Sequence, residues 1–310
     1  MQGMSGEKKG RPWLLLLTAV IWGTGFIAQR AGSVIPSFTF TALRSLIGAL
    51  FLVPVIKIMD RHRDRKPETG GRKTLLAGGM ACGFFLFAAS NLQQYGIELG
   101  STAGNAGFIT SCYILIVPIL GIFLKRKCSW NVWVSVAAAL AGLYLLCIDG
   151  PFVLRKEDLF LFACAFVFAL HILCIDHFTV RTDGVKMAAL QFLFCGILSL
   201  AATAFIDYRM DFNRFAALMH SIVSTDAWIS ILYAGAVSSG IGYTLQIVGQ
   251  KNVNPTVASL LMSLESVFSV LFGWLLLSEK MTNREILGCG ILFAAVVFAQ
   301  LKITNKSNTC

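Results

Sequence analysis

One carboxylate interrupts the apolar run from Pro255 to Leu277. It is Glu265, in the stretch "MSLESVF", and no other ionisable side chain shares that run. A charge at the centre of a bilayer costs at least ~2.5 kcal/mol, so an acid kept there faces a cavity or a partner rather than lipid. Two kinds of chemistry suit it. Either the acid carries a proton through a transport cycle or anchors a cationic group of a substrate, or it is a hydrogen-bonded group that ties two helices together. Arg44 sits inside a second apolar run, 36 to 58, from which its long side chain either snorkels to the membrane surface or reaches into a cavity. Together Glu265 and Arg44 offer one negative and one positive contact, a pairing that suits a zwitterion such as an amino acid.

Polar residues elsewhere in apolar surroundings extend this set. "SNLQQYG" (90 to 96) brings Asn91 and Gln93 together with Ser90, Gln94 and Tyr95, and a later segment carries Tyr243, Thr244 and Gln246. Amides and hydroxyls in such places bind a polar substrate, or they join helices through hydrogen bonds of about half to two kcal/mol. Trp22 offers a face on which an apolar or cationic moiety stacks, against plain packing. His171 offers an imidazole, against a hydrogen-bonded core histidine. Asn105 and Tyr113 complete the candidate lining residues, while Asp176 and His177 read as interfacial. No HExxH grouping or CxxC spacing supplies a metal site or an acid-base cluster, and cysteines inside apolar runs act as small hydrophobes.

The elements that must position these residues are membrane helices. Of the 310 residues, 56% are hydrophobic and 14% charged, well below the charged fraction of an ordinary soluble domain. A helix of about 20 apolar residues crosses a bilayer. Ten such windows occur: 13 to 31, 36 to 58, 74 to 97, 102 to 124, 130 to 148, 158 to 177, 186 to 206, 227 to 248, 255 to 277 and 284 to 303. The first runs on past Trp22 without a small-residue cleavage site, so it reads as a retained helix rather than a signal peptide. Pro54 and Pro118 lie inside windows and are expected to kink their helices.

The formal charge of +10 points to topology, not to nucleic acid. With the N-terminus inside, the inner segments hold most of the basic residues: Lys8, Lys9 and Arg11, the stretch 57 to 73, Lys125, Arg126 and Lys127, then Lys186 and Lys251. This is the positive-inside pattern, with both termini cytoplasmic and the plasma membrane as the expected location. No GxxxxGK[ST] loop is present to hold a nucleotide, so ATP is not the expected driver and no cofactor is implied.

The chain is also a duplication. A shift of 153 residues sets "LQQYGIELGSTAGNAGF" (92 to 108) on "LQIVGQKNVNPTVASLL" (245 to 261), matching Gln93 with Gln246, and a shift of 147 sets "FTFTALRSL" (38 to 46) on "VKMAALQFL" (185 to 193). The small-residue stretches "AGGMACG" (77 to 83) and "AGAVSSGIG" (234 to 242) correspond as well, serving close packing or a hinge. Each half, 1 to 150 and 151 to 310, contains five windows. Because five is odd, the second copy enters the membrane from the other side. The expected fold is an all-α membrane protein of ten transmembrane helices, two five-helix inverted repeats around a central cavity, and such repeats place a substrate near the midplane and work by alternating access.

The segments "IWGTGFIAQR" (21 to 30), Pro36 and "FTFTALR" ending in Arg44, with "NPTVASLLMSLESVFSVLFGWLLLSEKMTNREILGCGILFAAVVFA" (254 to 299), resemble the opening and closing signatures of the EamA-type drug/metabolite transporters. One departure is that Glu279 of the second half falls where the first half has Arg126. The resemblance implies ten helices around a central cavity and export of amino acids or other small metabolites. The expected activity is secondary export of such a metabolite in exchange for protons, with Glu265 as the proton-carrying group, by a monomer or dimer. Other readings are a proton-coupled exporter of drugs or cationic compounds, an integral membrane enzyme, or a channel.

Overall fold

A computed structural model describes residues 11–31, 35–62, 70–101, 103–126, 128–148, 155–208, 211–224, 227–277 and 281–301, and every regular element among them is a helix. The first half comprises α1 (Trp13–Ala31), α2 (Ser37–His62), α3 (Arg72–Glu98), α4 (Ala103–Ser111), α5 (Tyr113–Phe123) and α6 (Trp130–Cys147). The second comprises α7 (Asp158–Thr179), α8 (Gly184–Ala202) with a π-helical extension Thr203–Asp207, α9 (Phe212–Ser224), α10 (Ala227–Leu232), a π-helical segment Tyr233–Tyr243, α11 (Thr244–Gln250), α12 (Pro255–Met262), α13 (Glu265–Leu277) and α14 (Asn283–Gln300). Among the described residues, nine spans are long and apolar enough to cross a bilayer, and α1 adds the shorter apolar stretch Trp13–Gly25.

Local chemistry explains several helix starts. Asp183 accepts from the backbone N–H groups of Val185 and Lys186 at 2.9 and 3.1 Å and starts α8. Asn254, followed by Pro255 at the first helical position, accepts from Thr256 N–H at 2.9 Å, and Thr282 with Glu285 forms a reciprocal capping box on α14. The outward faces stay apolar, with Leu50, Phe84, Trp274 and Phe293 all at least half exposed, as suits contact with lipid tails rather than water.

Contacts between helix ends establish the antiparallel relation of the halves. At one end, Gly70 N–H donates to the Arg181 carbonyl at 2.9 Å, Lys186 pairs with Asp60 at 2.9 Å, and Asn131, at the start of α6, donates to the Leu301 carbonyl just beyond α14 at 3.2 Å. At the other end, Ser37 N–H meets Glu98 at 3.2 Å and Ser101 donates to Asp158 at 2.9 Å. The first end holds Arg72, Lys125, Arg126, Lys186 and Lys251 and is called the basic end below. The largest helix pairings are α6 with α14, α2 with α8, and α3 with α7. Gly142 and Gly288 mark the two-fold relation. A Cβ on Gly142 would lie 2.9 Å from the Gly288 carbonyl oxygen, and one on Gly288 2.7 Å from that of Gly142.

Three features depart from a simple ten-helix reading. The fourth window is broken at Cys112, between α4 and α5, and the ninth at Ser263 and Leu264, between α12 and α13. In both breaks the backbone tightens to i→i−3 bonds, Cys112 N–H to the Ile109 carbonyl at 3.1 Å and Leu264 N–H to the Leu261 carbonyl at 3.3 Å. Pro118 is not the break, since α5 continues through it, and α2 continues through Pro54. The long segment between the seventh and eighth windows, 207 to 226, contains α9, whose Leu218, Met219 and Ile222 pack on Ile35, Phe40 and Ile231. Their spacing puts them on one helical face.

Candidate functional site

Both helix breaks open onto one cavity. α1 contributes Trp22, Gly25 and Gln29 at i, i+3 and i+7, a single face. α2 contributes Arg44, α3 Gln93, α7 Phe168 and Ile172, the π-helical segment Ser238 and Tyr243, and α11 Gln246. The breaks supply the remainder: Thr110 and Tyr113 flank the first, Met262 and Glu265 the second. The cavity encloses about 60 Å³ measured at the centres of water-sized molecules, room for a few waters at ~10–15 Å³ each.

Arg44 and Glu265 are the charged members of this described lining, and both are nearly buried, at 5% and 7% exposure. Arg44 does not snorkel. Its Nη2 donates to Ser90 Oγ at 3.1 Å, and its Nε has no partner among the described residues. No ion pair or hydrogen bond to the Glu265 side chain is present among the described residues. Glu265 opens α13, and a helix start is where a carboxylate is best tolerated. The Tyr113 hydroxyl and Gln246 Oε1 are also buried without partners. Leaving such an atom unsatisfied costs about 1–3 kcal/mol each, so the cavity is built for polar contents.

The aromatic wall is anchored by the π-helical segment. Trp22 Nε1 donates to the Ser238 carbonyl at 3.2 Å, and the Trp22 and Tyr243 rings lie 4.6 Å apart. Thr18 adds a bond to the Gly242 carbonyl at 3.2 Å. Gln93 and Gln246, equivalent under the repeat, both reach the cavity, and Gln93 donates to Thr110 at 3.4 Å.

Two of the residues expected here do not reach it. Asn91 donates to the Phe87 carbonyl at 2.7 Å and to Ser199 at 3.3 Å, so it joins α3 to α8. His171 is fully buried behind the wall, with Nε2 at 3.2 Å from Gln191 Oε1 and its ring 6.2 Å from that of Tyr243. The side chain of Asn105, and Glu279, lie outside the described residues. Gln29, Thr110, Phe168, Ile172, Ser238 and Met262 were not singled out by sequence. Gln29 was the most findable, being two turns from Trp22 on the same face.

Asp176 lies in the last turn of α7, as expected of a residue near that end of the span. It is buried and ion-paired to Arg126, across the two halves, at the basic end of α5 and α7. His177 beside it is exposed and packs edge-on against Phe178. A smaller second hollow lies against this pair, walled by Val117, Leu173 and Thr256. Along α5, α7 and α12, each of these lies nearer the basic end than Tyr113, Ile172 and Met262 of the main cavity. Apolar core residues, Val117 and Leu173 among them, and then the ion pair between the halves lie on the basic-end side of the main cavity. Among the described residues, no group of three or more His, Cys, Asp or Glu side chains converges to hold a metal ion.

The sequence matches the EamA-like transporter family twice, over residues 12–148 and 155–300. The chain belongs to the EamA-like transporter family. It is similar to a protein of Archaeoglobus fulgidus named "Uncharacterized transporter", 27% identical and covering 93% of this chain and 85% of that one. It is similar also to the "Uncharacterized transporter YoaV" of Bacillus subtilis, 24% identical over 93% and 98% of the two chains, and to a chloroplastic WAT1-related protein of Arabidopsis thaliana, 24% identical over 94% and 70%. A solved crystal structure superposes with a TM-score of 0.71 at 17% identity, covering 94% of this chain and 97% of the other, and so shares the fold. The protein is thus a multi-pass membrane transporter whose two family repeats meet at the cavity.

Proposed function

We propose that this transporter exports a small zwitterionic metabolite, an amino acid or a compound like one, by alternating access. One observation carries the reading: Arg44 and Glu265 line the same buried cavity without pairing to each other. Opposite charges so placed are held apart for a ligand that carries both complementary groups. Arg44 suits a carboxylate, Glu265 suits an ammonium, Tyr113 and Gln246 offer further polar contacts in the same cavity, and Trp22, Phe168 and Tyr243 suit an apolar or aromatic side chain. A purely cationic substrate would meet the Arg44 charge, so the zwitterion fits better than a cationic drug. The small volume of the cavity supports a compact substrate as well.

Arg126 with Asp176 is the pair that must part for the cavity to open toward the basic end, which the positive-inside bias assigns to the cytoplasm together with both termini. The host membrane is the plasma membrane, the repeats 1 to 150 and 151 to 310 rock against each other, and the working unit is a monomer or dimer. Protons are the counter-substrate. Deprotonated Glu265 favours capture from the cytoplasm, and a proton entering from outside helps release. No chemical step is assigned to the chain, which acts as a carrier and not an enzyme.

Counterflow of labelled amino acids into proteoliposomes tests this. The wild type is expected to exchange at least one neutral amino acid, with Arg44→Gln raising KM about 10-fold or more, as loss of a charged hydrogen bond predicts. Absence of counterflow with every zwitterion tried, or an unchanged KM in Arg44→Gln, overturns the substrate class. Repeating the assay at several pH values with Glu265→Gln tests coupling. A pH dependence that survives the substitution removes Glu265 from the proton path.

A further inference from the structure

We propose that the groove between α2, α3 and α8 is a binding site for an anionic phospholipid of the leaflet at the basic end. It encloses about 620 Å³, far more than the central cavity, and shares no lining residue with it. Leu46, Ala49, Leu50, Val53 and Ile56 of α2 form its floor, a helical stripe that rises about 15 Å, half of a hydrocarbon core of ~30 Å. It therefore matches one leaflet in depth. The charged residues of the lining are Arg72, at the start of α3, and Lys186, near the start of α8, and both sit at the basic end.

These two charges differ in what holds them. Lys186 is committed to Asp60 at 2.9 Å. Arg72 has neither an ion pair nor a hydrogen bond among the described residues, and it is exposed at the mouth of the groove. Gly71 before it provides no side-chain cap for α3, and while the Thr74 and Leu75 N–H groups bond to the Gly71 carbonyl, those of Arg72 and Lys73 have no partner among the described residues and can meet an anion as well. An acyl chain in the stripe would bring a lipid phosphate to Arg72. A lipid with net negative charge gains from this, whereas a zwitterionic one brings its own ammonium to the same mouth.

Beside the groove, α2 and α3 each pack more extensively on other helices than on one another. α2 packs closely on the π-helical segment, where a Cβ on Gly235 would lie 2.6 Å from Ile47 Cγ2 and one on Gly48 3.1 Å from the Gly235 carbonyl oxygen. α3 turns its own glycines elsewhere, Gly78 against Phe178 of α7 and Gly79 against Leu190 of α8. With both helices held by other partners, the space between them is left for lipid. The proposal is independent of what the central cavity carries.

Native mass spectrometry of the purified full chain, titrated in parallel with phosphatidylglycerol and phosphatidylcholine, tests it. Phosphatidylglycerol is expected to be retained preferentially, and Arg72→Gln to lower that preference about fivefold, the contribution of one basic group at a membrane surface. Ala189→Trp fills the groove without changing any charge and is expected to abolish the preference. Leu193→Trp, at its far and more exposed end, serves the same purpose if Ala189→Trp does not fold. Equal retention of the two lipids, or full preference in Arg72→Gln or in a folded groove-filling variant, overturns the proposal, because headgroup attraction would then be general to the basic surface.

Discussion

Glu265 and Arg44 were legible from sequence because an ionisable group in an apolar run has few places to go. Neighbouring amides were harder to sort. Gln93 lines the cavity while Asn91, two residues earlier, bonds to Ser199 of α8. Two residues advance a helix by about 200°, so the two side chains face opposite ways, and composition alone does not say which faces inward. His171 shows the same ambiguity. It is tied to Gln191 and stands behind the wall. Tyr113 separates binding from stability at this scale. Tyr113→Phe removes a buried hydroxyl without a partner, so thermal stability is expected to hold or rise slightly. If the hydroxyl contacts substrate, KM in counterflow rises about fivefold, the effect of one neutral hydrogen bond. A variant that is less stable with unchanged KM would show the hydroxyl to be structural.

Helix breaks and close approaches belong to the scale of elements. The windows 102 to 124 and 255 to 277 read as continuous spans, and the one proline in their interiors, Pro118, lies within α5 rather than at its start. At the second break Ser259 and Ser263 donate to the Thr256 and Leu260 carbonyls, both at 2.8 Å, and hydroxyls bonded back in this way bend helices. Glycine contacts are more demanding. Gly142→Leu or Gly288→Leu would push a side chain into the backbone of the facing helix, so a loss of ~1–3 kcal/mol is expected as a lowered Tm in detergent. An unchanged Tm would mean that α6 and α14 are not so closely apposed. Breaking the pair of Arg126 and Asp176 has a different signature. Arg126 is 38% exposed in its side chain, so the pair stabilises the closed arrangement by only about 1 kcal/mol. Arg126→Gln is expected to raise labelling of a single cysteine at Leu173 by an impermeant maleimide about fivefold from the basic end, and exchanging the two charges to reverse it. No change in labelling would mean the pair does not hold that end shut.

For the whole molecule, the antiparallel relation of the repeats is the central claim. Lys125 follows the fourth span of the first half and Lys251 the third span of the second; Asn131 meets Leu301 at the end of α14, and Gly249 at the end of α11 lies against Leu14 at the start of α1. Modification of Lys125 and Lys251 by an impermeant amine reagent is expected from the same side of sealed vesicles, and reaction from opposite sides would dismantle the arrangement.

The sequence by itself determined the class of fold, the number of crossings and their parity, because apolar length and charge bias are one-dimensional quantities that a bilayer reads directly. It also picked out Glu265, Arg44, Trp22, Tyr113, Tyr243 and the two glutamines as residues out of keeping with lipid. Tertiary structure alone decided which of the candidates share a wall, where the spans break, that Asp176 meets Arg126, and that α2, α3 and α8 leave a groove between them. Those outcomes depend on the rotation of each helix about its axis and on which small residues meet across an interface. Both are set by contacts between segments more than a hundred residues apart, as with Gly142 and Gly288, and no local pattern encodes them.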